Sequence, residues 1–378
     1  MICDYSLRYL GGAQTAFLRQ AQALAESGVK VVVLAPDADV LTDVDERIIR
    51  IAPPKRGTIP VLDLPLLGRA RTLEPLVAAT VRRHSIGAIV VHSEFALASA
   101  ALEVGKRLGV PVLHTVHTFF WRAPAALAPF APLVARVHTA LTGIRSGARA
   151  TGSHALNNAL RTMTLRIAER ADVVLSPSRH QAEALRRAGA GRVEAFSNVT
   201  QTLSPADPVR EGPLRLLWVG RFAPEKRLDV MLDAIRATTA KLGTGHVLLD
   251  VAGGDHRAVS DVTFHGAVPG ERVAELMDAA DAVVLTSLGF DNQPMVALEA
   301  FSHGRPVIVS DPVLAEEFGD AAIATPTSDA PGLATLLSEL AADREKLAPH
   351  REAALTYARE RQPAAHVARL QEIIASVA

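Results

Sequence analysis

Short runs of aliphatic and β-branched residues alternate along this chain with stretches of helical periodicity, and that alternation restricts the fold more than any other feature. The apolar runs fall at 29–35, 86–91, 111–116, 172–175 and 193–196, then at 214–219, 247–251, 262–264, 282–285 and 306–309. They are continuous rather than alternating, which is the mark of strands buried on both faces. Between them lie patterns such as AQTAFLRQAQALAESG, where Phe17, Leu18, Ala21 and Leu24 share one helical face before Gly28 closes the helix. Strands of this kind joined by helices predict an α/β chain with doubly wound parallel sheets. The rhythm breaks once, in TQTLSPADPVREGP, where Pro205, Pro208 and Pro213 mark a connection between domains.

With 378 residues the chain is long enough for two such domains. About half of it is apolar, and 40 basic residues balance 40 acidic ones, so net charge points to no particular partner. Cys3 is the sole cysteine, which excludes an intrachain disulfide and fits a reducing cytosol. The start MICDYSLRYLGG has no cationic-then-apolar leader. No window reaches the ~18 apolar residues that a membrane span requires, since APAALAPFAPLVA is cut by Pro124, Pro129 and Pro132. A soluble protein, at most surface-bound, is expected. Only Met1 to Cys3 precede Asp4, so either the start is late or the first strand is very short. A weak echo links ERADVVLSPSRHQAEAL to DAADAVVLTS…VALEA, as any two βα units can.

Three loops carry anion-binding chemistry. In YLGGAQT, Gly11 and Gly12 open a helix whose free N–H groups and dipole favour an anion, although such a pair also serves as a plain tight turn. In LLWVGRFAPEKRLDVMLDAI, Arg221 stands at a strand tip and Lys226 and Arg227 precede the next helix. Ligands of open α/β sheets bind at those carboxyl ends, where two cations can clamp a diphosphate. The plain alternative pairs them with Glu225 and Asp229 on the surface. In SLGFDNQPMVALEAFSHGRPVIVSD, Pro294 suits a helix start, with Asp291 or Asn292 as its cap and Gly304 as its end. Glu299 then lies in the second turn, able to accept from sugar hydroxyls or, more plainly, to pair with Arg305.

These motifs together resemble the family 4 retaining glycosyltransferases of GT-B fold. GGAQT, HTVHT, SPSRHQAEAL, FSN, VGRFAPEKRLD, VAGGD, VTFHGAV and FDNQPMVALEAFSHGRPVIVSD follow the family's order and spacing from Gly11 to Asp311. The resemblance implies two Rossmann-like parallel-sheet domains facing a cleft. Residues 1–200 would be the acceptor side, 201–213 the linker and 214–360 the nucleotide-sugar domain, while 361–378 would form a helix returning to the first domain. Arg221 and Lys226 would hold the donor diphosphate, and Glu299 would bind the ribose. Asp291 would contact the donor sugar, and the stretch Asn292, Gln293, Pro294 and Met295 would line the sugar and phosphate pocket. Gly12, with Gly11, would meet the phosphate, His117 would face the sugar, and the base would lie near His265 to Val268. Three departures stand out: Asp291 replaces a glutamate, Asn292-Gln293-Pro294 replaces a glycine-rich stretch, and Gln14 replaces an acid.

The implied reaction keeps the anomeric configuration, by front-face attack with a donor phosphate oxygen as base. No cofactor and no metal is expected. The acidic pairs at Asp37 and Asp39 and at Asp43 and Asp45 follow the second strand and read as a solvated loop. His114 and His117 are three apart in a strand and face opposite ways, and taken alone His117 is a core histidine. From 104 to 168 there is no acid, while Arg122, Arg136, Arg145 and Arg149 lie among the bases and Phe119, Phe120 and Trp121 among the aromatics. That segment reads as a surface for anionic lipid or for the acceptor. No nucleic-acid motif accompanies the charge, and oligomeric state is left open. The expected function is sugar transfer from a UDP- or GDP-linked donor to a lipid-linked or glycan acceptor at the inner membrane face. The alternatives are a nucleotide-sugar epimerase, in which Asp291 and an added acid–base pair would act on the sugar ring, and a silent nucleotide-sugar binder with the altered Asp291–Pro294 loop.

Overall fold

The structure of the protein, a computed structural model, describes residues 1–42, 44–59, 64–120, 123–145, 152–207 and 212–378. The chain divides into two compact units, Met1–Val199 with Pro363–Ala378, and Thr200–Gln362. Each of the ten apolar runs overlaps a strand.

In the first unit these are β1 (Val31–Leu34), β2 (Ile48–Ile51), β3 (Gly57–Ile59), β4 (Leu64–Leu66), β5 (Ile89–Val91), β6 (Val112–Thr115), β7 (Val173–Ser176) and β8 (Val193–Ala195). β1 pairs with β2 and β5-β6-β7-β8 form a row, all parallel. Ile2 joins the two groups, with parallel bridges to Leu34 and Val91. Its N–H donates to Val90 O and its carbonyl accepts from His92 N, both at 2.8 Å. Of the residues ahead of Asp4, Ile2 is the one that makes these bridges. The antiparallel hairpin β3–β4 and the strand β2 were not legible, being only three or four residues long. Val367, Leu370 and Ile373 of the helix Pro363–Ala375 pack into the same core as Phe17, Val33 and Leu113.

The second unit holds β9 (Leu214–Val219), β10 (Val247–Ala252), β11 (Val262–Phe264), β12 (Ala282–Leu285), β13 (Val307–Val309) and β14 (Ala322–Ala324). Their order is β11-β10-β9-β12-β13-β14, parallel throughout. Met231, Leu232 and Ile235 from Leu228–Leu242, and Leu333, Leu337 and Leu340 from Ala330–Ala342, cover one face of this sheet. Part of the expected linker belongs to this unit. Thr200 N donates to Arg361 O (3.1 Å), Ser204 N to Ser302 O (2.9 Å) and Ala206 N to His303 O (3.2 Å). Residues 208–211 lie outside the described residues.

Candidate functional site

In the second unit the chain leaves β9 toward β10 and β11, then returns to β9's other side as β12. The carboxyl ends of β9 and β12 therefore flank the sheet's switch point, where open α/β sheets bind ligands. Arg221 and the turn Pro224–Lys226 follow β9, and the loop to the helix Met295–Ser302 follows β12. Lys226 Nζ meets Asp291 Oδ1 at 2.7 Å and Oδ2 at 2.9 Å, joining the two loops across that point. Both side chains are largely covered, at 23% and 10% exposure.

Hydroxyls hold this pair in place. Thr286 Oγ1 donates to Lys226 O (2.7 Å) and accepts from Trp218 Nε1 (3.0 Å), while Ser287 Oγ donates to Asp291 Oδ2. Arg227, at a φ of 50°, reaches Thr286 O and Ser328 O, tying the helix entrance to the end of β12. Gly253 sits against the same rim at a φ of 130°, and a Cβ there would lie 2.0 Å from Gly220 O, so only glycine fits. Trp218, Thr286 and Ser287 were missed in the sequence; the signal was a run of small hydroxyl residues directly after β12.

Several expected roles change. Asp291 caps no helix: the helix starts at Met295 with Pro294 as its cap residue and no side-chain cap bond. The Asp291 carboxylate is held by Lys226 instead, which is also why Lys226 does not pair with Asp229. Arg221 is 76% exposed and pairs weakly with Glu225 at 3.4 Å. Arg305 does not pair with Glu299; it is buried and donates to the carbonyls of Met277, Asp207 and Asp278. Gln293 turns inward, its amide donating to Tyr357 Oη (3.1 Å). Asn292, Gln293, Pro294 and Met295 are all buried, and Glu299 is half-buried in the helix they lead into. His265, with Nε2 2.6 Å from Asp250 Oδ1, lies on the loop after β11 with half-buried Val268.

In the first unit, Gly11 and Gly12 are exposed at the start of Gly12–Glu26, with Gly11 extended as cap residue. His117 follows β6 and is partly accessible. Its Nε2 lies 2.8 Å from His92 Nδ1, and the two rings stack at 5.1 Å. His92 Nε2 lies 3.0 Å from Gln20 Oε1, and Gln20 Nε2 lies 2.8 Å from His366 Nε2. His92, Gln20 and His366 are buried. Desolvation holds His117 and His366 at a pKa of about 4 and His92 well below the usual histidine range. His92 and Gln20 were missed, although His92 is the first residue past β5. His114, as expected, does not join His117: it is fully buried, and burial lowers it to about 3.

The acidic pairs divide. Asp39 is exposed, but Asp37 is buried and not a solvated loop acid. It accepts from Ser6 Oγ (2.6 Å), Arg8 Nε (3.2 Å) and Lys55 Nζ. Asp45 bonds Arg47, and Asp43 lies outside the described residues. The aromatic surface also differs from expectation. Phe119 is a core residue, its N–H bonded to Gln181 Oε1, so burial removes it from an outer surface, while Phe120 is half-buried and stacks on His180 at 5.5 Å. Arg136 and Arg145 are exposed, while Trp121, Arg122 and Arg149 lie outside the described residues. Among the described residues of 104–168 the exposed large apolar side chains are instead Leu127, Phe130, Leu133 and Val137, on the turn Ala125–Phe130 and one face of Ala131–Thr142.

Residues 10–201 match the family model described as Glycosyltransferase Family 4, and residues 213–343 that described as Glycosyl transferases group 1. The chain belongs to glycosyltransferase family 4. It is 26% identical over 325 residues to a phosphatidyl-myo-inositol mannosyltransferase of Mycobacterium leprae, covering 82% of this chain and 78% of that protein. The protein of the same description from Mycolicibacterium smegmatis is 26% identical over 362 residues, covering 89% and 83%. Among solved structures, Anabaena HepE in complex with UDP-glucose is similar at a TM-score of 0.67 and 16% identity, covering 99% of this chain and 98% of that one. The fold is GT-B, and this family member is a glycosyltransferase. Among the described residues no helix is long and apolar enough to cross a membrane.

Proposed function

We propose that this protein is a retaining glycosyltransferase that moves a sugar from a UDP- or GDP-linked donor to a hydroxyl of a lipid-linked or glycan acceptor at the inner face of the cell membrane. The Lys226–Asp291 pair at the switch point of the second sheet carries this reading. An ammonium has three N–H donors, so Lys226 can keep Asp291 and still bond a diphosphate. Exposed Arg221 is free to swing onto the same anion, and the N–H groups opening the helix at Met295 add to the positive field. Half-buried Glu299 accepts from the ribose hydroxyls.

In the transfer, the bond between the anomeric carbon and the phosphate oxygen breaks and the nucleoside diphosphate leaves. The acceptor oxygen attacks from the same face, and its proton passes to a phosphate oxygen. Asp291 is engaged by Lys226 and Ser287, so it positions the lysine rather than serving as nucleophile. Lys226 and Arg221 supply the stabilising charge, and fixed charges aimed at a leaving group typically lower such a barrier more than any other single effect.

The acceptor reading rests on the stripe Leu127, Phe130, Leu133 and Val137, with Arg136 beside it and Arg145 just beyond the helix. An exposed apolar stripe flanked by cations suits anionic lipid, with about 1 kcal/mol from each basic residue near the surface. The curated relatives are named for phosphatidyl-myo-inositol, an anionic lipid, which supports the same choice.

Incubation with UDP- and GDP-sugars and membranes tests the reaction, reading released nucleotide, labelled product and its anomeric configuration. Inverted product refutes retention. Epimerised free donor makes the protein an epimerase, and binding without turnover across a broad acceptor panel makes it a silent binder. Flotation with anionic vesicles tests docking: the wild type should float at low salt, and Phe130→Asp with Leu133→Asp should not. Equal flotation of both refutes the stripe.

A further inference from the structure

The hydrogen-bonded chain His117–His92–Gln20–His366 crosses the first unit from the end of β6 to the C-terminal helix, and its polarity follows from its far end. There the Gln20 amide nitrogen, which only donates, faces His366 Nε2, so that ring nitrogen is a lone pair and the His366 proton sits on Nδ1. Gln20 Nε2, 2.8 Å away, donates to that lone pair, and Gln20 Oε1 must then accept from His92 Nε2–H. His92 Nδ1 is left as an acceptor, so His117 donates to it from Nε2. Among the described residues His117 makes no other hydrogen bond, which leaves Nδ1 as its single, accepting face.

Packing fixes the rings in this order. Phe17 meets His92 edge-on at 5.0 Å, His117 stacks on His92, and Phe196 packs on His366 at 4.4 Å.

We propose that Gln20, His92 and His366 are positioning residues that hold His117 in its Nε2–H tautomer, so that Nδ1 accepts a hydrogen bond from a sugar hydroxyl. The C-terminal helix is thereby a working part of the first unit's chemistry. The tautomer assignment stands on geometry alone, whereas its use on a sugar rests on the function proposed above.

Nitrogen-15 NMR of histidine-labelled full-length protein reads the tautomer without substrate. The wild type should show His117 protonated on Nε2. In His366→Phe, which keeps a ring against Phe196 but removes the acceptor, both tautomers should appear, as they should in Gln20→Leu. His366→Gln, whose amide oxygen still accepts from Gln20, should keep the wild-type form. Turnover in His366→Phe should fall about tenfold in kcat, the worth of one hydrogen bond, with KM for the donor within about twofold. A wild-type His117 protonated on Nδ1, or a tautomer unmoved in both His366→Phe and Gln20→Leu, overturns the relay. A shifted tautomer with unchanged kcat overturns its part in transfer. Should no nucleotide sugar be turned over at all, the proposed function and its use of His117 fail together, and the spectra still decide the tautomer.

Discussion

Lys226 and Asp291 in the second unit form an ion pair at 2.7 Å with enough exposure to exchange partners. The hydrogen-bonded chain His117–His92–Gln20–His366 of the first unit is held neutral by burial, and all of it but His117 is closed to water. One unit keeps charge ready for a charged ligand; the other keeps direction in a chain of neutral donors and acceptors. The two should therefore respond differently to acid. His92, His114, His117, His138 and His366 are all pushed below the usual histidine range by burial, to about 3 or 4 where a value is set. Unfolded histidine takes up a proton near pH 6.5, so the unfolded first unit binds more protons, and its stability falls as pH drops from 6.5 toward 4. The Met1 amine, lowered to about 5 by burial, acts in the same sense. Glu94, raised by burial to about 7, and Asp4, also raised, act oppositely, since the folded form holds their protons longer. Five histidines outweigh two carboxyls. Protection factors for β6 amides should collapse between pH 7.5 and 4.5 while those of β9 persist; joint loss in both units would break the contrast.

Charge removal should be the next largest effect, and confined to the second unit. Lys226→Ala should lose about 10²–10³-fold in kcat/KM, as when a fixed charge-stabilising donor is removed. Arg221→Ala should lose about tenfold or less, because its one ion pair among the described residues is an exposed one with Glu225. Steady-state kinetics on both variants decide, and equal losses would show that Arg221 carries as much of the diphosphate as Lys226.

What the sequence revealed tracks the same division. Ten strands were legible because parallel strands bury both faces and read as unbroken apolar runs, whereas β14 is three residues of Ala-Ile-Ala. Arg221, Lys226, Asp291 and Glu299 were legible from motif spacing, since charged residues at strand and helix ends mark themselves. That Lys226 would pair with Asp291 was not, because 65 residues separate them and only the β9–β12 pairing brings them together. The Gln20–His366 link, 346 residues apart, was further out of reach. Phe119 was misjudged for the complementary reason: composition counts an aromatic in a basic segment but not the Gln181 side chain that fixes its backbone in the core.

Two smaller changes sharpen the contrast from within the first unit. Glu94 accepts from Tyr5 Oη at 2.9 Å in a buried site, and its carboxyl resists ionisation. Glu94→Gln keeps that acceptor without the charge, so it should raise Tm by about 5 °C at pH 8, where the wild type must ionise, and by nothing at pH 5. A gain at both pH values would place its origin in packing rather than in protonation.

His114 gives the smallest expected effect and the cleanest control. It is fully buried in β6, neither ring nitrogen has a hydrogen-bond partner among the described residues, and it lies outside the His117 chain. A buried polar group without a partner costs about 1 kcal/mol or more, and an apolar side chain of similar volume removes that cost. His114→Leu should therefore stabilise the first unit by about 1 kcal/mol at pH 7.5, read by denaturant unfolding. It also removes one of the five histidines that resist protonation, so the gain should grow at pH 5 and the acid midpoint should move down. kcat should stay at the wild-type value, since the His117 tautomer is set through His92 and not through β6's own core histidine. Loss of stability at pH 7.5 would mean that the imidazole's packing against its neighbours outweighs its missing hydrogen bonds.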